Sequence, residues 1–294
     1  MDKQYKIIKD SHLYSLNTPP LISIVIPVFN REDLITDCLK SALSQNFVNL
    51  EIIVIDNSST DNTIKNVMNL VKNDERVKVI KNIKNVGPVK NWLLGVQFST
   101  GMYTKILFSD DILIKNSLEK FYKIINPEIG FVASSCLVGK SPKHSKKIYY
   151  LPGKKSIYRS EFLLARYAIT RSFIVSPCAA LFRKTDLEAS LIKSINLPIC
   201  EESIRTGAGP DLRIYLDTLR KYPYFGFLHQ PSVFFRSHEG SFTIGKESLK
   251  VNLGYKKTFD YEINKSSFLL KQISKLHFIY RILSKFYSLL KGYI

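Results

Sequence analysis

Three things are missing from this chain. It has no Gly-x-Gly-x-x-Gly after its first apolar run, which excludes a dinucleotide oxidoreductase of the usual kind. It has no Cys-x-x-Cys pair. Its four cysteines, Cys38, Cys136, Cys178 and Cys200, are scattered, which excludes a zinc ribbon, a redox motif or a disulfide framework. Thiols so placed are expected to behave as small buried hydrophobes in a reducing compartment. No stretch reaches the roughly 18 consecutive apolar residues of a spanning helix. Acidic residues are also few, 25 Asp and Glu against 43 Lys and Arg, for a net charge of +18 over 294 residues. Such an excess suits polyanionic partners: nucleic acid, an anionic membrane surface or a diphosphate substrate. Residues 1–18 are polar and do not read as a signal peptide, so a cytoplasmic location, or attachment to the membrane from its cytoplasmic face, is expected.

What is present is a regular alternation. Apolar residues make up 45% of the chain, enough for a substantial core. Residues 22–28 and 51–55 are short β-branched runs, as expected of buried parallel strands. Residues 77–81 and 103–108 continue the series. Between them, residues 32–45, 60–72 and 89–98 carry apolar positions at helical spacing. Strand and helix alternate in the manner of an α/β sheet, whose ligands sit beyond the carboxyl ends of the strands. Those ends hold Phe29 and Asn30, Asp56 and Asn57, residues 82–87, and the run Ser109, Asp110, Asp111.

The pattern then loosens. Helices are expected over 117–125, 160–168 and 211–221, strands over 130–138, 224–228 and 232–236, and a basic loop over 139–147. The organisation expected is a tail over 1–20, a nucleotide-binding half over 21–115, a second half over 116–245, and a C-terminal segment over 246–294. The last part of that segment, 265–294, carries six Lys and Arg and no acid. Its apolar residues recur at helical spacing, which suits an amphipathic helix lying on an anionic interface or packing on the body.

Four blocks in order carry a family resemblance: Ile24-Val-Ile-Pro-Val-Phe-Asn30, Glu51-Ile-Ile-Val-Ile-Asp-Asn-Ser-Ser-Thr-Asp-Asn-Thr63, Asn85-Val-Gly87 with Lys90, Asn91 and Gly95, and Lys105-Ile-Leu-Phe-Ser-Asp-Asp-Ile112. Together they resemble family 2 glycosyltransferases. The resemblance implies a GT-A fold, mostly parallel and flanked by helices. It also implies an inverting, metal-dependent transfer of sugar from a nucleoside-diphosphate donor, UDP by default, to a glycan or lipid-linked acceptor of a bacterial surface polysaccharide. A membrane-facing acceptor matches the basic C-terminal segment.

Each motif residue has a chemical expectation. Phe29 is placed to stack on a base or to pack in the core. Asp56 is placed to accept the imino hydrogen of uracil, as the resemblance implies, or to cap a helix. Pro27, Asn30, Asn85 and Gly87 line the expected donor site. Lys90 stands where the family often has Arg, facing a diphosphate or solvent. Asp110 and Asp111 are adjacent carboxylates, which repel one another unless a cation intervenes. The resemblance implies Mg²⁺ or Mn²⁺ there, with Asp110 also meeting the donor. Phe108 occupies the position of the family's preceding Asp, which leaves open which carboxylate meets the metal. Asp211, after a Gly-rich approach in which Pro210 replaces the usual Glu, is expected to be the base or a helix cap, with Glu201 and Glu202 as alternates. The run Arg236-Ser-His238 resembles a late block, with Arg236 at the diphosphate and His238 at the metal.

Other classes fit less well. A sugar-nucleotide pyrophosphorylase needs a Gly-rich basic loop after the first strand, and residues 27–31 read Pro-Val-Phe-Asn-Arg. A nucleic-acid module needs basic and aromatic residues on one surface, whereas these lysines are spread along the chain, so no specific nucleic-acid partner is expected. A non-catalytic membrane- or polyanion-binding protein of the same fold is the remaining alternative, given Phe108 and Pro210.

Overall fold

The computed structural model describes residues 4–11, 21–149, 151, 153–170, 176–238, 248–265 and 272. Its centre is the predicted parallel set. Strand β2 (Ile22–Val28) lies between β3 (Leu50–Asp56) and β5 (Tyr103–Ile106), and β4 (Val77–Asn82) flanks β3, all four parallel. Every residue of β2 and β3 is buried, as continuous apolar runs require when helices cover both faces. The covering helices are α1 (Ile35–Leu43), α2 (Thr63–Val71) and α3 (Pro88–Phe98). Helix α3 approaches closely because Gly95 has no side chain: a Cβ there would stand 2.4 Å from a Val25 methyl and 2.9 Å from an Ile55 methyl.

Two of these helices start later than their periodicity suggests. Residues ahead of them are used as caps and ties. The Glu32 carboxylate accepts the Asn62 N–H at 2.9 Å, and Asp61 accepts the Thr63 N–H at 3.0 Å. Short acidic and amide side chains compete with helix formation in this way.

Beyond β5 the sheet turns mixed. Strand β10 (Ala180–Arg183) runs antiparallel to both β5 and β7 (Ile129–Ser141). Strand β11 (Tyr224–Arg236) is parallel to β7 and pairs antiparallel with β6 (Ile112–Leu113) and β9 (Ile157–Arg159). Helices α4 (Ser117–Tyr122), α5 (Ser160–Thr170), α6 (Lys184–Asn196), α7 (Glu201–Thr206), α8 (Pro210–Lys221) and α9 (Ser248–Asn264) complete the described chain.

Three expectations need correcting. The tail over 1–20 contains a strand, β1 (Tyr5–Lys9), paired antiparallel to β4, with the Tyr5 ring edge-on to Phe98 at 4.8 Å. Its lysines and exposed Ile7 and Ile8 disguise an edge strand. The basic loop over 139–147 is a hairpin between β7 and β8 (His144–Ile148). The two strands expected over 224–236 are one, because Pro231 is absorbed by register shifts rather than ending the strand. The basic segment over 265–294 lies outside the described residues except for positions 265 and 272. Among the described residues, no helix is long and apolar enough to cross a membrane.

Candidate active site

The carboxyl ends of β2 and β3 are laced together. Phe29, 40% exposed, projects just past β2. Asn30 takes a left-handed backbone (φ 48°), which Asn tolerates better than most residues. Its N–H donates to Ser59 Oγ at 2.9 Å, and its Oδ1 accepts the Thr60 N–H at 2.9 Å. Pro27 is enclosed in β2.

Asp56 is 0% exposed. Both its oxygens accept the Ser59 N–H, at 3.0 and 3.2 Å, and Oδ1 also accepts the Ser59 hydroxyl. Burial raises its pKa, opposed by Ser59 and by Lys81 3.7 Å away. These bonds close the turn over residues 56–59 and do not cap a helix, since α2 begins only at Thr63.

Next to it lies a network of amides invisible in the sequence. Asn57 Nδ2–H donates to Asn85 Oδ1 at 2.8 Å, while Asn57 Oδ1 accepts the Val86 N–H at 2.9 Å. Asn82 donates to Asn91 Oδ1 at 2.9 Å, and Asn91 donates to the Ile55 carbonyl at 3.1 Å. The network fixes the loop carrying Asn85 and Gly87, whose φ of 83° precedes Pro88 at the start of α3. Lys90 is exposed on the first turn of that helix.

At the end of β5 the two aspartates part company. Asp111 turns inward and is 6% exposed. Burial and then the neighbouring Asp110 charge push its carboxyl well above the usual range, against bonds from the Cys178 thiol and the Arg236 backbone. Below it, the wholly buried Lys105 donates to the Cys178 carbonyl at 2.7 Å, and burial lowers its pKa. Asp110 faces outward with 24% of its side chain exposed, and its Oδ2 accepts from His238 Nε2 at 3.1 Å. Of the two aspartates, it is Asp110 that meets His238.

Arg236 braces this arrangement. Its guanidinium donates to the Asp110 carbonyl at 2.6 Å, to Asp37 Oδ2 at 3.0 Å and to the Leu34 carbonyl at 2.9 Å. Three of its five N–H groups are therefore engaged by protein, and any contact with a diphosphate falls to the remainder.

Asp110 and His238 suit a hard divalent cation. The 3.1 Å between Asp110 Oδ2 and His238 Nε2 is a hydrogen-bond distance, and the same two atoms could flank one ion once Nε2 gives up its proton, the other tautomer carrying it on Nδ1. Among the described residues no group of three His, Cys, Asp or Glu converges. One carboxylate completed by substrate phosphates and water is a usual Mg²⁺ arrangement, and the added imidazole suits Mn²⁺ better than Mg²⁺.

Asp211 sits in the first turn of α8 and is 7% exposed. Its Oδ1 accepts the Gly209 and Leu212 N–H groups, both at 2.7 Å, and its Oδ2 accepts the Tyr255 hydroxyl at 2.5 Å. Burial pushes its carboxyl up to about 7, against the pull of Tyr255 and the backbone donors. The loop before it needs glycine. Gly207 has φ 80°, and a Cβ there would stand 2.3 Å from the Trp92 ring. Trp92 in turn packs on Phe108 at 5.2 Å, two residues from Asp110. Tyr149, whose phenol feels both Asp211 and Asp111, also spans the gap. The alternates Glu201 and Glu202 lie on α7 and are less buried than Asp211, with Glu202 4.0 Å from Lys257.

The family model described as "Glycosyl transferase family 2" matches residues 23–191. The "GalNAc(5)-diNAcBac-PP-undecaprenol beta-1,3-glucosyltransferase" of Campylobacter jejuni is 33% identical over 152 residues, which is 51% of this chain and 49% of that protein. The "Hyaluronan synthase" of Pasteurella multocida is 38% identical over 112 residues, 38% of this chain and 11% of that protein. The chain thus spans about half or less of the length of these curated relatives. In fold it is similar to Staphylococcus aureus TarS 1-349 solved with UDP-GlcNAc, with a TM-score of 0.58, 17% identity and coverage of 87% of this chain and 79% of that one. It is also similar to a mannosyltransferase of Pyrobaculum calidifontis solved with GDP-Man and Mn²⁺, with a TM-score of 0.57, 17% identity and coverage of 85% and 66%. The fold is of the GT-A type. The matched residues take in the strand ends bearing Asp56 and Asp110 and more than half of the chain, and on that ground the protein belongs to glycosyl transferase family 2.

Proposed function

We propose that the protein transfers a sugar from a nucleoside-diphosphate donor to a hydroxyl acceptor with inversion. The observation that carries the reading is the meeting of Asp110 with His238, 128 residues apart in sequence and 3.1 Å apart in space, at the strand ends where such a fold binds nucleotides.

Phe29 supplies an exposed apolar face for the base, and the loops bearing Asn30, Asn57 and Asn85 form a preorganised rim. Lys90 and the free N–H groups of Arg236 face the diphosphate. Asp110 and His238 would hold a divalent cation, which when bound would supply positive charge to offset that of the leaving diphosphate. Asp211 takes the proton from the acceptor hydroxyl. Its pKa near 7 matches a base that must be unprotonated at neutral pH yet strong enough to accept a proton. The acceptor oxygen bonds to the anomeric carbon as the bond to the diphosphate breaks on the opposite face, which inverts the centre. One direct displacement needs one base and no covalent intermediate.

UDP is the donor nucleotide this reading favours, supported by the UDP-GlcNAc bound to TarS, although the mannosyltransferase neighbour carries GDP-Man. The acceptor is a glycan or lipid-linked oligosaccharide of the bacterial surface, supported by the undecaprenol-linked substrate in the name of the Campylobacter relative. The basic C-terminal segment then brings the protein to the inner face of the membrane. The test is release of UDP or GDP from a panel of nucleotide sugars, with and without Mn²⁺ and a lipid-linked acceptor. Metal-dependent release from one donor is expected. Absence of release from every donor favours the non-catalytic alternative.

A further inference from the structure

Helix α9 meets the loop that carries Asp211 along one face. A Cβ on Gly254 would lie 2.5 Å from the Ala208 carbonyl, and Thr258 Oγ1 lies 2.3 Å from where a Cβ on Gly209 would stand. Residues 254, 255 and 258 share a helical face, and from the middle of it the Tyr255 hydroxyl donates to Asp211 Oδ2 at 2.5 Å. The helix is fastened farther along. Glu262, 2% exposed, pairs with Arg220 at 2.6 Å and Arg213 at 3.6 Å on α8, and Phe259 meets Tyr167 edge-on at 5.0 Å. The phenol is therefore held against Asp211 by contacts on either side of it along α9.

Building on the reading of Asp211 as the base, we propose that Tyr255 is a positioning residue that orients Asp211 Oδ2 and sets its basicity. The two carboxylate oxygens are used unequally. Oδ1 is filled by two backbone N–H groups, while Oδ2 holds the Tyr255 bond and keeps one lone pair. That lone pair takes the acceptor proton. In the transfer, the acceptor O–H bond breaks and its proton goes to Oδ2. The acceptor oxygen bonds to the anomeric carbon, and the electron pair of the old glycosidic bond leaves with the nucleoside diphosphate. Tyr255 keeps its own proton throughout, because burial and the adjacent Asp211 charge push its phenol well above its ordinary value. Among the described residues, the other titratable groups whose charge Asp211 affects are also phenols, Tyr149 beyond β8 and Tyr215 on α8, both pushed up first by burial.

The sign follows from the hydrogen bond. A donor to the charged carboxylate favours that form, so loss of the phenol raises the Asp211 midpoint. The experiment is ¹³C NMR of the full-length protein labelled at the aspartate carboxyl carbons and titrated without substrate. The Asp211 resonance is identified by its disappearance in Asp211→Asn. Tyr255→Phe is expected to move the midpoint upward by about one unit. Replacing Tyr255 by 3-fluorotyrosine, a stronger donor of the same shape, is expected to move it downward. An unchanged midpoint in the folded Tyr255→Phe protein overturns the inference. If Tyr255→Phe does not fold, an unchanged or raised midpoint in the fluorotyrosine protein overturns it instead. With the UDP-sugar that turns over, the acid limb of kcat should move with the NMR midpoint while KM for donor stays constant. The expected NMR shift in a protein that turns over no nucleotide sugar overturns the reading of Asp211 as a base, on which this inference rests. A stationary midpoint in an active enzyme overturns this inference alone.

Discussion

The two halves of the molecule hold their carboxylates by different means. In residues 21–115 the important side chains stand at the ends of parallel strands, and the sheet itself aims them. Asp56 ends β3, Phe29 follows β2 and Asp110 lies four residues past β5, and bonds between adjacent loops fix the rest. In the second half Asp211 stands on a glycine loop braced from outside, by Trp92 of α3 and by Gly254, Tyr255 and Thr258 of α9. A strand end is positioned by local sequence, whereas a braced loop is positioned by contacts between distant parts of the chain.

The sharpest way to break this comparison is to remove one carboxylate from each half. Asp110→Asn removes the candidate metal ligand and should abolish Mn²⁺-dependent nucleotide binding together with activity, a loss of about 10³-fold or more in turnover. Loss of activity without loss of metal-dependent binding would place the metal elsewhere. Asp211→Asn should lower turnover by roughly 10²–10⁴-fold while leaving nucleotide binding intact. Wild-type transfer should rise as pH increases through about 7, where Asp211 loses its proton.

The same carboxylate carries a stability signature. Its folded pKa lies above the ordinary value of 3.8, so it favours folding below that value. This contribution is lost as pH rises through about 7, above which the buried charge opposes folding. Asp211→Asn should therefore gain stability relative to wild type as pH rises from 5 to 8, by roughly 1–2 kcal/mol. Equal effects at both pH values would show that charge burial is not the cause.

Glycine substitutions sharpen the contrast on a smaller scale. Gly207→Ala must push against the Trp92 ring as well as adopt φ 80°, whereas Gly87→Ala meets open space at φ 83°. The first should cost about 3 kcal/mol and the second about 1–2 kcal/mol, read from urea melts. Equal costs would mean that the Gly207 loop does not press on Trp92. The mildest change is Phe29→Ala, which removes the stacking face and should raise KM for donor roughly tenfold with little change in kcat.

How much of this was legible in the sequence follows the same division. Strands β2 to β5 announce themselves as apolar runs, and their ends carry Phe29, Asp56 and Asp110 in plain view. That His238 belongs to the site was expected only through family likeness, and its bond to Asp110 was not expected at all, since nothing local joins positions 110 and 238. The inward turn of Asp111 was hidden, because adjacent acidic residues look alike until the backbone assigns one to solvent and one to the core. The same holds for Ser59 on Asp56, for the asparagine network and for Tyr255. Each is a single polar residue whose partner is 3 to 44 positions away, and polar residues in loops carry no periodicity. Strand β11 ran through Pro231 because a bulge absorbed the missing N–H, a tertiary solution that local propensity does not encode.

The central claim is that Asp110 belongs to a metal-dependent nucleotide site and Asp211 to a separate step. The direct test is thermal stabilisation of wild type, Asp110→Asn and Asp211→Asn by UDP, dTDP and GDP, each with and without Mn²⁺. At about one hundred times Kd, a bound nucleotide stabilises by about 2.7 kcal/mol. The account predicts a Mn²⁺-dependent shift with one nucleotide, UDP in the first instance, that Asp110→Asn removes and Asp211→Asn retains. No shift with any nucleotide at millimolar concentration, or a shift that survives Asp110→Asn, would contradict it.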